Sequence, residues 1–101
     1  MNLYEYEPPQ RGERFDRLFM KDGIEVVRIV STSIDAPKSF CDERDEWVVL
    51  LQGEAIVKIN DQEIKMVAGD TLYIPAHTPH QLLSVSKGAL WLAFHFSCGE
   101  K

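Results

Sequence analysis

The stretch GDTLYIPAHTPH, residues 69–80, decides how this chain is read. A Gly-Asp pair opens it, the short run Thr71–Ile74 follows, and Pro75 closes that run. The expected structure is a strand between turns, because glycine supplies φ > 0 and proline removes a ladder donor. Two of the three histidines, His77 and His80, come next, and Ser84 follows in HQLLSV. Pro79 restricts Thr78 to extended conformations, which holds the approach to His80 in register.

On either side of this stretch the apolar residues fall in short blocks rich in Val, Ile, Leu and aromatics, separated by Gly, Asp, Asn and Pro. Almost nothing has helical period. Strands are expected at Phe15–Met20, Ile24–Ser31, Trp47–Leu51, Ala55–Ile59, Glu63–Val67, Thr71–Ile74, His80–Val85 and Ala89–Phe96. Turns are expected at the KDG of 21–23, at Gln52–Gly53, at Asn60–Asp61 and at Gly69–Asp70, with a loop over Thr32–Lys38. About eight strands at this spacing point to an all-β sandwich or barrel. Residues 1–14, polar and proline-bearing, read as a flexible arm or as a strand for a second subunit. Residues 15–98 read as the domain.

The chain has 101 residues, 45% of them hydrophobic and 27% charged, which suits one soluble globular domain. Its formal net charge is −5, and the basic residues are scattered rather than clustered. Neither nucleic acid nor an anionic membrane is therefore an expected partner. The runs Val48–Leu51 and Ala89–Phe94 are too short to span a bilayer. MNLYEYEPPQ at the start lacks the basic stretch and apolar block of a signal peptide, so the cytoplasm is the expected location. Cys41 and Cys98 are then expected as free thiols.

No GxxxxGK[ST], GxGxxG, HExxH, GxSxG or CxxC is present. Two spacings remain. Glu46 is followed by six residues and Gly53; Gly69 is followed by five residues, Pro75, one residue, His77, two residues and His80. Together they resemble the two motifs of the cupin family, G-x5-H-x-H-x3-4-E-x6-G and G-x5-P-x-G-x2-H-x3-N. The resemblance covers about residues 40–84. It implies a single jelly-roll β-barrel of antiparallel strands in two packed sheets, and a homodimer built sheet on sheet.

The departures are specific. The two first-motif histidines are missing, because their positions hold Phe40 and Asp42, or Ser39 and Cys41. His77 stands at the second motif's glycine and Ser84 at its asparagine. The usual set of three histidines and one glutamate cannot form. The resemblance nevertheless places Glu46 and His80 in the barrel lumen, as half of an atypical site for a divalent metal such as Zn, Mn, Fe or Ni. His95 is a candidate third ligand, and Cys41 a weaker one. Strand parity leaves His95 open: if Leu90, Leu92, Phe94 and Phe96 form the core face, His95 shares the other face with Trp91 and Ala93. Within strands, Glu46, Val48 and Leu50 share a face, as do His80, Leu82 and Ser84. Val48, Leu82, Ser84 and His77 are thus the expected pocket residues, with His77 shaping the turn or the mouth. The expected function is a small-molecule-binding cupin, and two forms of it stand open. One is a metal-dependent enzyme on a small polar substrate; the other is a metal-free binding or sensing module.

Overall fold

The computed structural model describes residues 1–32 and 34–97, so Cys98 lies outside the described residues. These residues form nine strands and no helix: β1 (Glu13–Lys21), β2 (Ile24–Ser31), β3 (Lys38–Phe40), β4 (Asp45–Gln52), β5 (Glu54–Ile59), β6 (Gln62–Val67), β7 (Thr71–Ile74), β8 (His80–Val85) and β9 (Ala89–Phe96). No helix is long and apolar enough to cross a membrane. All eight expected strands are present. The ninth, β3, has only three residues next to Pro37, too few for a period to show.

Two antiparallel sheets pack on each other, one in the order β1-β2-β9-β4-β7 and the other β3-β8-β5-β6. Two hairpins stay within a sheet. Asp22-Gly23 joins β1 to β2 and Asn60-Asp61 joins β5 to β6, and all four residues have φ between 51° and 80°. Left-handed pairs of this kind match the right-handed twist of the flanking strands, which is why Asp, Asn and Gly occupy them.

Gly53 does a different job from the hairpin turn expected of it. There the chain leaves β4 in one sheet and enters β5 in the other. Its φ is 97°, and an added Cβ would sit 2.9 Å from Ala89 Cα and 2.7 Å from Ser86 Oγ. Gly69 makes the return crossing from β6 to β7 at φ 96°, in open space. Its N–H donates to the Leu50 carbonyl at 2.7 Å, and Leu50 N–H donates to the Asp70 carbonyl at 3.0 Å. This brings the two glycine corners to the same strand.

The core lies between the sheets and includes Val48, Leu50, Ala55, Val57, Met66, Leu82, Ala89, Trp91 and Ala93. The N-terminal arm lies along the outer face of the larger sheet. Buried Arg28 donates Nη1 to the carbonyls of Leu3 and Glu5, pairs Nη2 with Asp16 at 3.1 Å, and stands 5.4 Å over the Tyr6 ring.

The two glycine corners separate strain from clash. Gly69→Ala is expected to lose about 1–2 kcal/mol, the cost of a Cβ in the left-handed region. Gly53→Ala must also push β9 away and is expected to lose about 1 kcal/mol or more beyond that. Urea denaturation of both variants checks the order; equal losses would contradict the close approach at Ala89.

Candidate functional site

Strand pairing carries residues of like parity into rows across the larger sheet. On its inner face one row runs Met20, Glu25, His95, Glu46, Ile74. The next holds Arg17, Val27, Ala93, Val48 and Leu72, and a third holds Phe15, Ile29, Trp91 and Leu50. The smaller sheet faces them with His80 beside Phe40, and Leu82 beside Val57. A cavity of about 500 Å³ lies between, with a charged row over an apolar floor.

His95 is the centre of the charged row. Its Nε2 is 3.5 Å from Glu46 Oε2 and its Nδ1 is 3.8 Å from Glu25 Oε1, with each of the three side chains 13% exposed. The buried Nδ1 makes no hydrogen bond among the described residues. Glu25 is held by two guanidiniums: Arg44 Nη1 donates at 2.8 Å and Arg17 Nε at 2.6 Å. Arg44 also grips Asp42 through Nε at 3.1 Å and Nη2 at 3.2 Å. The Arg44 bond keeps the Glu25 carboxyl below its ordinary range, helped by Arg17, and the Arg44 bond does the same for Asp42. The same bonds, from Asp42 first and then Glu25, drive the Arg44 pKa upward.

Two loops close this end of the molecule. Asp42 carbonyl accepts the His77 N–H at 2.7 Å, and Asp45 Oδ1 accepts the Ala76 N–H at 2.8 Å. His80 Nδ1 lies 3.1 Å from the Thr78 carbonyl, and its ring stacks on Phe40 at 5.7 Å between centroids.

Glu46, His80, His95, Cys41, Val48 and Leu82 all line the cavity. For His95 this settles the parity: Trp91, Ala93 and His95 face inward, while Leu92 and Phe94 face outward. Two expected pocket residues do not line it. His77 is exposed, with φ 59°, and shapes the turn where the motif has glycine. Ser84 is exposed because β8 bulges: Leu82 pairs with Val57 while Ser84 pairs with Ile56, so Leu83 is an extra residue and parity reverses. Glu25, Arg17 and Arg44 went unrecognised in the sequence. Glu25 could have been found, since it shares period two with Val27 and Ile29 in IEVVRIVS. Arg44 sits in a loop, where no period applies.

The residues do not fit a resident metal ion. Among the described residues no three His, Cys, Asp or Glu side chains form a group that could hold one. Of the positions the motif's two spacings give the missing imidazoles, Phe40 stacks on His80 and Asp42 is committed to Arg44. Cys41 is a free, exposed thiol.

Comparison with known proteins bears on the family and the fold. A family model described as "Cupin domain" matches residues 29–95, well over half of the chain. No curated protein matches. Among solved structures, a protein of Ralstonia eutropha JMP134, provisionally named a mannose-6-phosphate isomerase, is 27% identical with a TM-score of 0.87, covering 97% of each chain. An RmlC-like cupin of Shewanella frigidimarina NCIMB 400 is 18% identical with a TM-score of 0.77, covering 95% of this chain and 86% of that one. KdgF of Halomonas sp. is 14% identical with a TM-score of 0.79, covering 94% and 89%. The last two likenesses are of fold.

Arg44→Met leaves Glu25 and Asp42 without their shared guanidinium. Their carboxyls have lowered pKa values, so the stability they contribute is full above the ordinary carboxylate pKa of about 4 and fades as pH falls through the folded-state values. The expected loss is about 1 kcal/mol at pH 7, modest because the guanidinium is a third exposed. It should shrink toward zero well below about pH 4, where both carboxyls are protonated. Denaturation at both pH values measures it, and a constant gap would refute the ion pairs as its source.

Proposed function

The chain belongs to the cupin family, and from that premise we propose that it is a small-molecule-binding cupin that works without a resident metal. The observation that carries this reading is the row Glu25, His95, Glu46 over an apolar floor, with the positions of the missing ligands filled by Phe40 and the Arg44-bound Asp42. An imidazole set between two carboxylates can exchange a proton with a bound molecule, and His95 is the residue assigned that role. The strand orders β2-β9-β4-β7 and β3-β8-β5-β6 are read as the two sheets of a jelly roll. The cytoplasm is the proposed setting, where Cys41 stays reduced.

Elemental analysis of protein purified without an affinity tag, followed by thermal shift against a metabolite panel with and without a chelator, tests the reading. No stoichiometric metal is expected, and stabilisation by a ligand should survive chelation. His95→Gln should abolish that stabilisation while keeping the fold. Stoichiometric Zn, Mn, Fe or Ni that is lost in His80→Ala would overturn the metal-free reading in favour of a metal site on Glu46 and His80.

We also propose a homodimer through the outer face of the larger sheet. One row there is apolar across all five strands: Phe19, Val26, Phe94, Trp47, Tyr73. Phe19 and Tyr73 are 55% exposed and Trp47 is 39% exposed, while Trp47 packs on Phe94 at 5.6 Å between rings. Light scattering should return twice the chain mass for the native protein and a single chain mass for Trp47→Glu; a native monomer would end the proposal.

A further inference from the structure

The chemistry of the cavity narrows the class of molecule it takes, on the reading that it binds a small molecule at all. Four carboxylates line it, from Glu13, Glu25, Asp42 and Glu46, against the guanidiniums of Arg17 and Arg44; no lysine does. Counting carboxylates against guanidiniums, the lining carries two negative charges in excess.

The guanidinium of Arg44 is also fully committed, and that of Arg17 in part. Every nitrogen of the Arg44 guanidinium is bonded to Asp42 or Glu25, and Arg17 Nε is bonded to Glu25. A phosphate or carboxylate would find its free fork only on the terminal nitrogens of Arg17, whose side chain is 62% exposed and so already solvated, and would meet a field of its own sign. Glu46 and Glu13 are in the opposite position: among the described residues no arginine or lysine pairs with either. Glu13 accepts only the Ser31 hydroxyl at 2.6 Å, and Ser31 in turn accepts the Trp91 indole N–H at 3.2 Å.

His80 adds a further acceptor. The Thr78 carbonyl can only accept, so the Nδ1 that meets it carries the proton. In the neutral ring Nε2 is then a lone-pair acceptor. The mouth is therefore rich in acceptors, and its free guanidinium donors are the solvated terminal nitrogens of Arg17. Beneath it Val27, Val48, Val57, Leu72, Leu82 and Trp91 offer no partner for hydroxyls, so a sugar or polyol would bury polar groups unpaired. The aromatic faces of Trp91 and Phe40 suit a cation as well as an apolar body.

We propose that the cavity binds an organic ammonium: a protonated amine held at the mouth by Glu46, with an alkyl or aryl body on the floor against Trp91 and Leu82. This class differs from the sugar phosphate in the name of the Ralstonia relative.

The test titrates the full chain with four probes: 2-phenylethylamine, its neutral isostere 2-phenylethanol, the anion 3-phenylpropanoate, and mannose 6-phosphate. The readout is the Trp91 indole N–H in heteronuclear NMR, at low and at moderate salt. The amine should bind at least tenfold more tightly than each of the others, and the gap should narrow with salt. Glu46→Gln should weaken the amine severalfold and leave the alcohol unchanged. If that variant does not fold, Glu13→Gln and the salt dependence of the native chain carry the comparison. An anion that binds as tightly as the amine, or an amine no better than the alcohol, would overturn the ligand class while leaving the binding cavity standing. A Trp91 signal unmoved by every probe would overturn both.

Discussion

The structure depends on the pairing of β9, which lies between β2 and β4 and is hydrogen-bonded to both. Its alternation decides what every neighbouring strand shows to the cavity. Trp91, Ala93 and His95 turn inward, so Ile29, Val27 and Glu25 on one side turn inward with them, as do Leu50, Val48 and Glu46 on the other. A slip of one residue would carry His95 to the outer face and bring Phe94 in. Leu90 and Trp91, adjacent and both buried, lock the register by filling space on opposite faces.

That same double burial explains why the sequence left His95 undecided. WLAFHF is apolar at almost every position, so period two has no contrast to work with. Where contrast existed the strands were legible: Ala55–Ile59 alternates, and both hairpin turns carry the Asp, Gly and Asn that left-handed backbone requires. Which sheet each strand joins was not legible, because Gly53 and Gly69 look the same in sequence whether they close a hairpin or pass the chain between sheets. The β8 bulge was equally hidden. Nothing in HQLLSV distinguishes Leu83 as the extra residue, and everything after it, Ser84 included, was read with the wrong parity.

The candidate site is organised by one guanidinium. The mouth brings Glu25, Asp42 and Glu46 close together, and close carboxylates raise one another's pKa unless cations intervene. Arg44 intervenes: it bridges Asp42, in the loop after β3, to Glu25 on β2. One side chain thus ties the loop between β3 and β4 to β2 of the larger sheet across the mouth. Phe40 covers one face of His80 with a ring, and the Thr78 carbonyl engages its Nδ1, so the imidazole is held by both.

The outer face of the same sheet obeys the opposite logic. Arg28, paired with Leu92 in the strand register, is the one charged residue buried there among the described residues, and its Nη1 is satisfied by the arm while its Nη2 meets Asp16 of β1. Two carbonyls and an aromatic ring reach it from residues 3–6, and Asp16 supplies the charge. A guanidinium buried without these partners would be strongly destabilising, so the arm cannot leave that place without another group arriving. The arm therefore covers the end of the face near Val30 and Leu90, while the row from Phe19 to Tyr73 at the other end stays open. The division follows from where the polar partner is needed: apolar side chains tolerate solvent in part, whereas Arg28 Nη1, buried inside the sheet's shadow, needs an acceptor.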